Sequence, residues 1–347
     1  MTRTLLLAGT FVLAAAAGVL HFADASPVAI FVVAGLAIAA LAWIVSSATE
    51  SVGSRYGPAV TGVLQSTLGN LPELFIVLFA ISVGDLLVAR TAVLGSLFAN
   101  ALLVLGLAIL AGSWHARDGV MRFEARLPND TFTLMMLAIF IIVLVGISHE
   151  VDDPASEHDV TISAICAVLL LSVYAVWLVG YLRGGAQQMP TAEAPMFSFR
   201  TGLALLVAGG VASALVADWF VGSLDGAIES LGISKTFTGV VIVGIVGNAV
   251  EHAVGVTLAA KGQSDLAISV IKNSVAQIAV FLFPALVLLS LFFEHRLTFV
   301  LGPVAIAALV LMTLAIWQVT TDGEAVAFEG WALVSLYLVV AVIAWFE

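Results

Sequence analysis

Residues 238–260, TGVVIVGIVGNAVEHAVGVTLAA, carry an asparagine, a glutamate and a histidine inside a run that is otherwise apolar. A charge at the centre of a bilayer costs roughly 2.5–3.5 kcal/mol on insertion scales, so an ionisable group there marks a working site by default. A similar stretch stands at residues 61–80, TGVLQSTLGNLPELFIVLFA. From the G-N-x-x-E onward the two copies keep a constant offset of 178 residues, which matches Asn70 with Asn248, Glu73 with Glu251 and Ser96 with Ser274. Each serine follows its glutamate by 23 residues. An internal repeat bears on architecture before it bears on chemistry.

The surroundings set the class. The chain has 347 residues, of which 62% are hydrophobic and only 10% charged, with a mean hydropathy of +1.16; soluble domains carry roughly 25% charged residues. This is the composition of an integral membrane protein. About 20 apolar residues span a bilayer as a helix. By that rule eleven segments are expected, near 4–22, 27–48, 58–83, 86–112, 131–148, 160–182, 201–220, 235–261, 264–291, 297–317 and 330–346. Trp43, Trp114, Trp177, Tyr181, Trp219, Trp317 and Trp331 fall near the expected ends, where amphipathic rings sit at the headgroups.

Basic residues give orientation. With a cytoplasmic amino terminus, the cytoplasmic side holds Arg3, Arg55, Arg117, Arg122, Arg126, Arg183, Arg200 and Lys261, and the opposite side Arg90, Lys235 and Arg296. The bias expects the carboxyl terminus on the opposite side, in what is read as a prokaryotic plasma membrane. Arg3, an apolar run and Ala23-Asp24-Ala25 imitate a signal peptide. The run is long for that purpose, and its removal leaves ten helices in the same orientation. The single cysteine, Cys166, forms no internal disulfide and is read as packing.

Five expected spans separate the start of one copy from the start of the other. That number is odd, so the two copies enter from opposite faces and the halves are inverted. The expected organisation is an all-α membrane protein: an extra N-terminal helix at 1–26, a first five-helix repeat at 27–182, a linker at 183–200 and a second five-helix repeat at 201–347. Inverted repeats bring equivalent helices together near the midplane. Glu73 and Glu251 each lie roughly halfway down their segments by the rise of about 1.5 Å per residue, so two carboxylates are expected to converge there.

The neighbours of each glutamate are oxygen donors. Asn70 and Asn248 precede their glutamates by three residues, a spacing that shares a helix face. Ser96 with Asn100, and Ser274 with Gln277, do the same in the following segments. Pro72 lacks an N–H, which frees the carbonyl of Leu68, with Gly69 beside it; Gly244 and Gly247 permit similar bending in the second copy. Hard donors suit Ca²⁺, which takes about 6–8 oxygens. An empty site repels its own charges and is expected to take up protons instead. That competition amounts to an exchange mechanism if the site opens to one face at a time.

On these residues the chain resembles the cation/proton exchanger (Ca²⁺/H⁺ antiporter) family of the calcium/cation antiporter superfamily. The matching positions are Gly69, Asn70, Glu73, Gly95, Ser96 and Asn100 in one copy, and Gly247, Asn248, Glu251, His252, Ser274 and Gln277 in the other. The resemblance implies that Glu73 and Glu251 bind the cation and the protons. It implies that Asn70, Asn248, Ser96 and Ser274 complete or support the shell. Ca²⁺ is then transported substrate and H⁺ its counter-ion, with no resident cofactor, no nucleic-acid partner and no enzymatic activity. His252 matches the family's histidine. It points about 100° away from Glu251 and is read as supporting the shell or a proton path.

Pro72 and Asn273 depart from the small or hydroxylated residue and the glycine expected there. Lys272 is the larger departure. It stands about 12 Å into its segment and is expected to snorkel toward the surface. The acidic stretch HEVDDPASEHD, at 149–159, reads as a solvated turn, and Ser264 and Asp265 as a helix cap. Two other functions remain open at this stage. One is a Na⁺- or K⁺-coupled Ca²⁺ exchanger of the same superfamily; the other is an intramembrane metalloenzyme, which wants a spacing such as H-E-x-x-H that is absent here.

Overall fold

The structure is a computed structural model that describes residues 2–56, 61, 64, 65, 67–124, 126–184 and 196–347. Most of the expected linker therefore lies outside the described residues, as does much of the approach to the first copy. In chain order the helices are α1 (Thr2–Phe22), α2 (Pro27–Gly53), α3 (Leu71–Ser82), α4 (Leu86–His115), α5 (Arg126–Glu150) and α6 (Asp159–Gly184). They continue as α7 (Phe199–Leu231), α8 (Lys235–Gly247), α9 (Ala249–Ala260), α10 (Ser264–Ser290), α11 (Pro303–Thr320) and α12 (Ala327–Phe346).

Among the described residues, nine helices are long and apolar enough to cross a membrane, and α8 with α9 makes a tenth if that pair, bent by 63°, is one span. The remaining expected segment, the third at 58–83, falls partly outside the described residues; what is described of it ends in α3, an apolar helix of 12 residues. Two helices outrun their expected ends, α2 to Gly53 and α7 to Leu231. Polar residues did not stop them because hydroxyls return to the helix's own carbonyls: Thr49 donates to Val45, Ser51 to Ser47 and Ser230 to Gly226. Trp43 and Trp219 consequently lie well inside helices and not near their ends.

The chain divides into two compact units, Met1–Val83 with Ala175–Ile233 and Val246–Val250, and Gly84–Tyr174 with Ser234–Ile245 and Glu251–Glu347. In the first unit α2 and α7 pack along most of their length. Small residues on α7 allow it: a Cβ at Gly209 would stand 3.3 Å from Ile44 and Val45, and one at Gly202 would stand 3.1 Å from Ser51. Phe31 and Phe220 stack at 4.8 Å between ring centroids. The short α3 rests on α7.

The second unit is built round α4, whose middle crosses α8 with backbones in contact. A Cβ at Gly95 would meet the Val240 carbonyl oxygen at 2.3 Å, and one at Gly244 would meet the Gly95 carbonyl carbon at 2.5 Å. Such close approach is how helices associate in lipid, where no hydrophobic force drives them together. Further along, Gly106 of α4 and Gly330 of α12 make a similar crossing. Helices α10 and α11 both pack on α5.

Loops supply a feature the sequence did not suggest. Val120–Arg122 pairs antiparallel with Glu324–Val326, Val120 opposite Val326. Strands of three residues are too short to show a period of two. Arg122 bonds Asp118 at 2.6 Å and Glu324 at 3.1 Å. The Arg122 hydrogen bond holds the Asp118 carboxyl below its ordinary value. Asp265 does not cap α10 as expected. Its carboxylate accepts the Glu124 backbone N–H at 2.7 Å, and the cap position, Gln263, makes no side-chain cap bond. In the acidic stretch, His149 Nδ1 and Asp159 Oδ2 lie 2.6 Å apart on an otherwise largely exposed turn.

Candidate functional site

In the first unit the helix that ends at Leu68 breaks at Gly69 and Asn70, and α3 begins at Leu71. Pro72 causes no clash there, because it occupies the first turn, where backbone N–H groups have no intrahelical acceptor. Gly69 is demanded by closeness: a Cβ on it would stand 2.4 Å from the Gln65 carbonyl oxygen. Glu73 lies in the first turn of α3 and is fully buried, with Asn70 4% exposed before it. A carboxylate in that turn faces the positive end of the helix dipole. Asn70 adopts φ −93° and ψ 18° and makes no side-chain cap bond. Its Nδ2 has no hydrogen-bond partner among the described residues, so a buried amide is available to a ligand. In the same unit Gly247 lies against Glu73, its absent Cβ 3.5 Å from the Glu73 Cβ.

The second copy repeats the local design. Helix α8 stops at Gly247, Asn248 forms the break and is buried, and α9 begins at Ala249 with Glu251 in its first turn. In the second unit, the Ser274 hydroxyl of α10 donates to Glu251 Oε2. Carboxylate and serine, 23 residues apart in the chain, are thus brought together. His252 Nε2 is buried with no partner among the described residues.

Ser96 and Asn100 are fully buried on α4, and the Asn100 amide donates to the Ser96 carbonyl at 3.1 Å. Asn100 Oδ1 has no partner among the described residues. Here the helix widens to a π turn over Ala99–Val104, another follows Gln277 at Ile278–Leu282, and a further one stands in α8 at Thr238–Val243. A π turn inserts one residue and re-aims the side chains beside it, which is why such turns gather at functional sites. Among the described residues no three of His, Cys, Asp and Glu come together, so a bound cation would depend on amides, hydroxyls and carbonyls as well as carboxylates.

Lys272 corrects an expectation. Its side chain is 4% exposed and its Nζ donates to Thr320 Oγ1, at the end of α11, at 3.0 Å. The ammonium group does not snorkel to the surface; it lies in an apolar recess with Phe132, Met135 and Ile316. The reach that would have carried it outward is closed by α5 and α11, which a single segment read alone does not reveal. Reading of the sequence also passed over Gln65, whose Nε2 donates to Ser46 at 2.7 Å and whose buried Oε1 has no partner among the described residues. A polar side chain in an apolar run four residues before Gly69 was the signal for it.

Apolar helices, two of them beginning afresh at an asparagine with a glutamate in the next turn, define an all-helical membrane protein with polar breaks in its helices. The chain belongs to the sodium/calcium exchanger protein family, whose model matches residues 26–182 and 201–346. It is 33% identical to a Ca²⁺/H⁺ antiporter of Synechocystis, over 94% of this chain and 93% of that protein. It is 32% identical to the Ca²⁺/H⁺ antiporter ChaA of Bacillus subtilis, over 90% and 91%. Among solved structures it is similar to native YfkE, with a TM-score of 0.82 and 27% identity over 97% of this chain and 100% of that one.

Proposed function

We propose that this chain is a secondary transporter that exchanges Ca²⁺ for H⁺ across a membrane by alternating access, with Glu73 and Glu251 as the groups that hold either ion. The observation that carries the reading is the position of both glutamates, each in the first turn of a helix restarted at an asparagine. Helix N-termini stabilise a carboxylate that is deprotonated to bind a cation. Burial favours the protonated form once the cation has left. The two tendencies oppose one another, and their balance lets a proton and a dication compete for one place.

Symmetry supports the pairing. Asn70 and Asn248 stand 178 residues apart, and the π turns that begin at Ala99 and Ile278 follow at nearly the same interval. We read this as two inverted five-helix repeats after one extra helix, with the amino terminus cytoplasmic and the carboxyl terminus on the other side. Asn70, Asn248, Ser96 and Ser274 complete or position the shell, Asn100 and Gln277 support it, and His252 serves a proton path. The same class of exchange is named for the Synechocystis and Bacillus relatives.

Purified protein in proteoliposomes tests the proposal. An imposed pH gradient drives Ca²⁺ uptake that is indifferent to Na⁺, and Glu73→Gln and Glu251→Gln each stop it. Uptake that requires a Na⁺ gradient would transfer the chain to the Na⁺-coupled class. Full activity in either glutamine variant would reject the site.

A further inference from the structure

One cavity in the second unit takes no part in the proposed exchange. It is a cleft of about 330 Å³ between α4, α8, α11 and α12, within the size range of ligand pockets. Leu94, Phe98, Val304, Val340 and Ile343 form much of its lining, and Arg90 and Glu347 are its charged members. It lies where α4, α8 and α11 begin and α12 ends, so it sits at the end of four helices, at the level a headgroup layer occupies.

We propose that this cleft binds an anionic phospholipid, with the phosphate on the Arg90 guanidinium and one acyl chain along the apolar lining. The charge is suited to it. Arg90 donates to Thr298 Oγ1 at 3.2 Å, while its buried Nε has no partner among the described residues. Among those residues no carboxylate lies within 4.0 Å of the guanidinium. Asp159 is close enough to influence Arg90, but it is engaged with His149 at 2.6 Å. Lys235, at the same end, is neutralised by Asp85 at 2.7 Å. Among the described residues that line the cleft Arg90 is the cation, Glu347 forms no ion pair with it, and the planar fork of Arg90 suits two phosphate oxygens. A soluble anion would leave the lining bare, and a lipid without a phosphate would leave the guanidinium unanswered. An amphipathic anion satisfies both.

Native mass spectrometry of the full chain, released from detergent with equal amounts of phosphatidylglycerol and of diacylglycerol, which has the acyl chains without the phosphate, tests this. The wild type retains phosphatidylglycerol at least about tenfold more strongly, the effect of one charge-assisted hydrogen-bonded pair. Arg90→Gln brings the ratio close to one. Ala308→Phe keeps the guanidinium and fills the lining, and it lowers retention of both lipids; it also serves if Arg90→Gln fails to fold. Equal retention of the two lipids by the wild type would overturn the proposal. So would a preference that survives in Arg90→Gln, or displacement of the lipid by excess inorganic phosphate.

Discussion

The crossing of α4 and α8 admits a sharp test through one methyl group. In Gly95→Ala the new carbon would stand 2.3 Å from the Val240 carbonyl oxygen, 2.6 Å from the Val240 Cα and 2.7 Å from the Gly239 carbonyl oxygen. All three are backbone atoms, so no rotamer change relieves the clash. Ordinary contact begins at 3.4 Å, and α4 and α8 must therefore separate by about 1 Å along that line. Overpacking of this kind costs about 1–3 kcal/mol, and here it also opens contacts on either side of the crossing. Ser96 is the next residue and moves with it. Gly244→Ala strikes the same contact from the other helix, at 2.5 Å from the Gly95 carbonyl carbon. The two costs should fall short of adding, because either substitution already separates the helices. Thermal unfolding in detergent measures the loss, and Ca²⁺ flux in proteoliposomes measures the displacement of Ser96. The control is Gly222→Ala on α7, where the added carbon meets nothing within 4 Å and helix propensity alone favours alanine by roughly 0.5–1 kcal/mol. If Gly95→Ala melts with the wild type and transports at its rate, the close crossing is wrong.

Ser274→Ala removes the hydroxyl that donates to Glu251. Hydrogen bonds to charged groups contribute about 1.5–3 kcal/mol, so the variant needs a higher pH for half-maximal transport, and Ser274→Thr restores the wild-type profile; an unchanged pH profile in the alanine variant counts against the contact. At the strand pair, Asp118 is lowered by its bond to Arg122. A lowered folded value means stability that is present above the ordinary carboxyl range and lost as pH falls through the folded value. The protection factor for amide exchange at Val120–Arg122, the rate of the unstructured chain over the observed rate at the same pH, therefore falls in acid below pH 3.8, and Arg122→Gln removes that dependence. A protection factor that is flat across this range would refute the linkage.

The membrane class and the placing of the polar breaks were legible from the residues because both depend on local composition. Asparagine followed at three by glutamate in an apolar run is anomalous wherever it occurs, and both breaks lie there. Helix ends were less legible. The serines and threonines of α2 look like a stop until their hydroxyls are seen bonded to carbonyls one turn back. The partner of Lys272 was hidden for another reason: Thr320 stands 48 residues away, and only the packing of both α10 and α11 on α5 brings the two together. The same limit applied to the three-residue strands, whose partners are far apart in the chain.

That buried lysine bears on what the exchange can count. Lys272 and Ser274 are two residues apart on α10, which turns their side chains about 200° from one another, so the ammonium group leaves the helix away from the serine that holds Glu251. At a separation on the order of 10 Å and an effective dielectric near 20, a unit charge alters another by about 1.7 kcal/mol. While it keeps its charge, Lys272 therefore opposes Ca²⁺ at Glu251 in the proposed exchange, and it opposes two protons by the same amount, because each adds two positive charges. The effects cancel in a two-for-one exchange. Lys272→Met then tightens the apparent affinity for both ions and leaves the ratio of H⁺ to Ca²⁺ unchanged, which the reversal potential of flux in proteoliposomes reads directly. A changed ratio would mean that the lysine gives up its own proton during the cycle, and that the carboxylates alone do not carry the counter-ion.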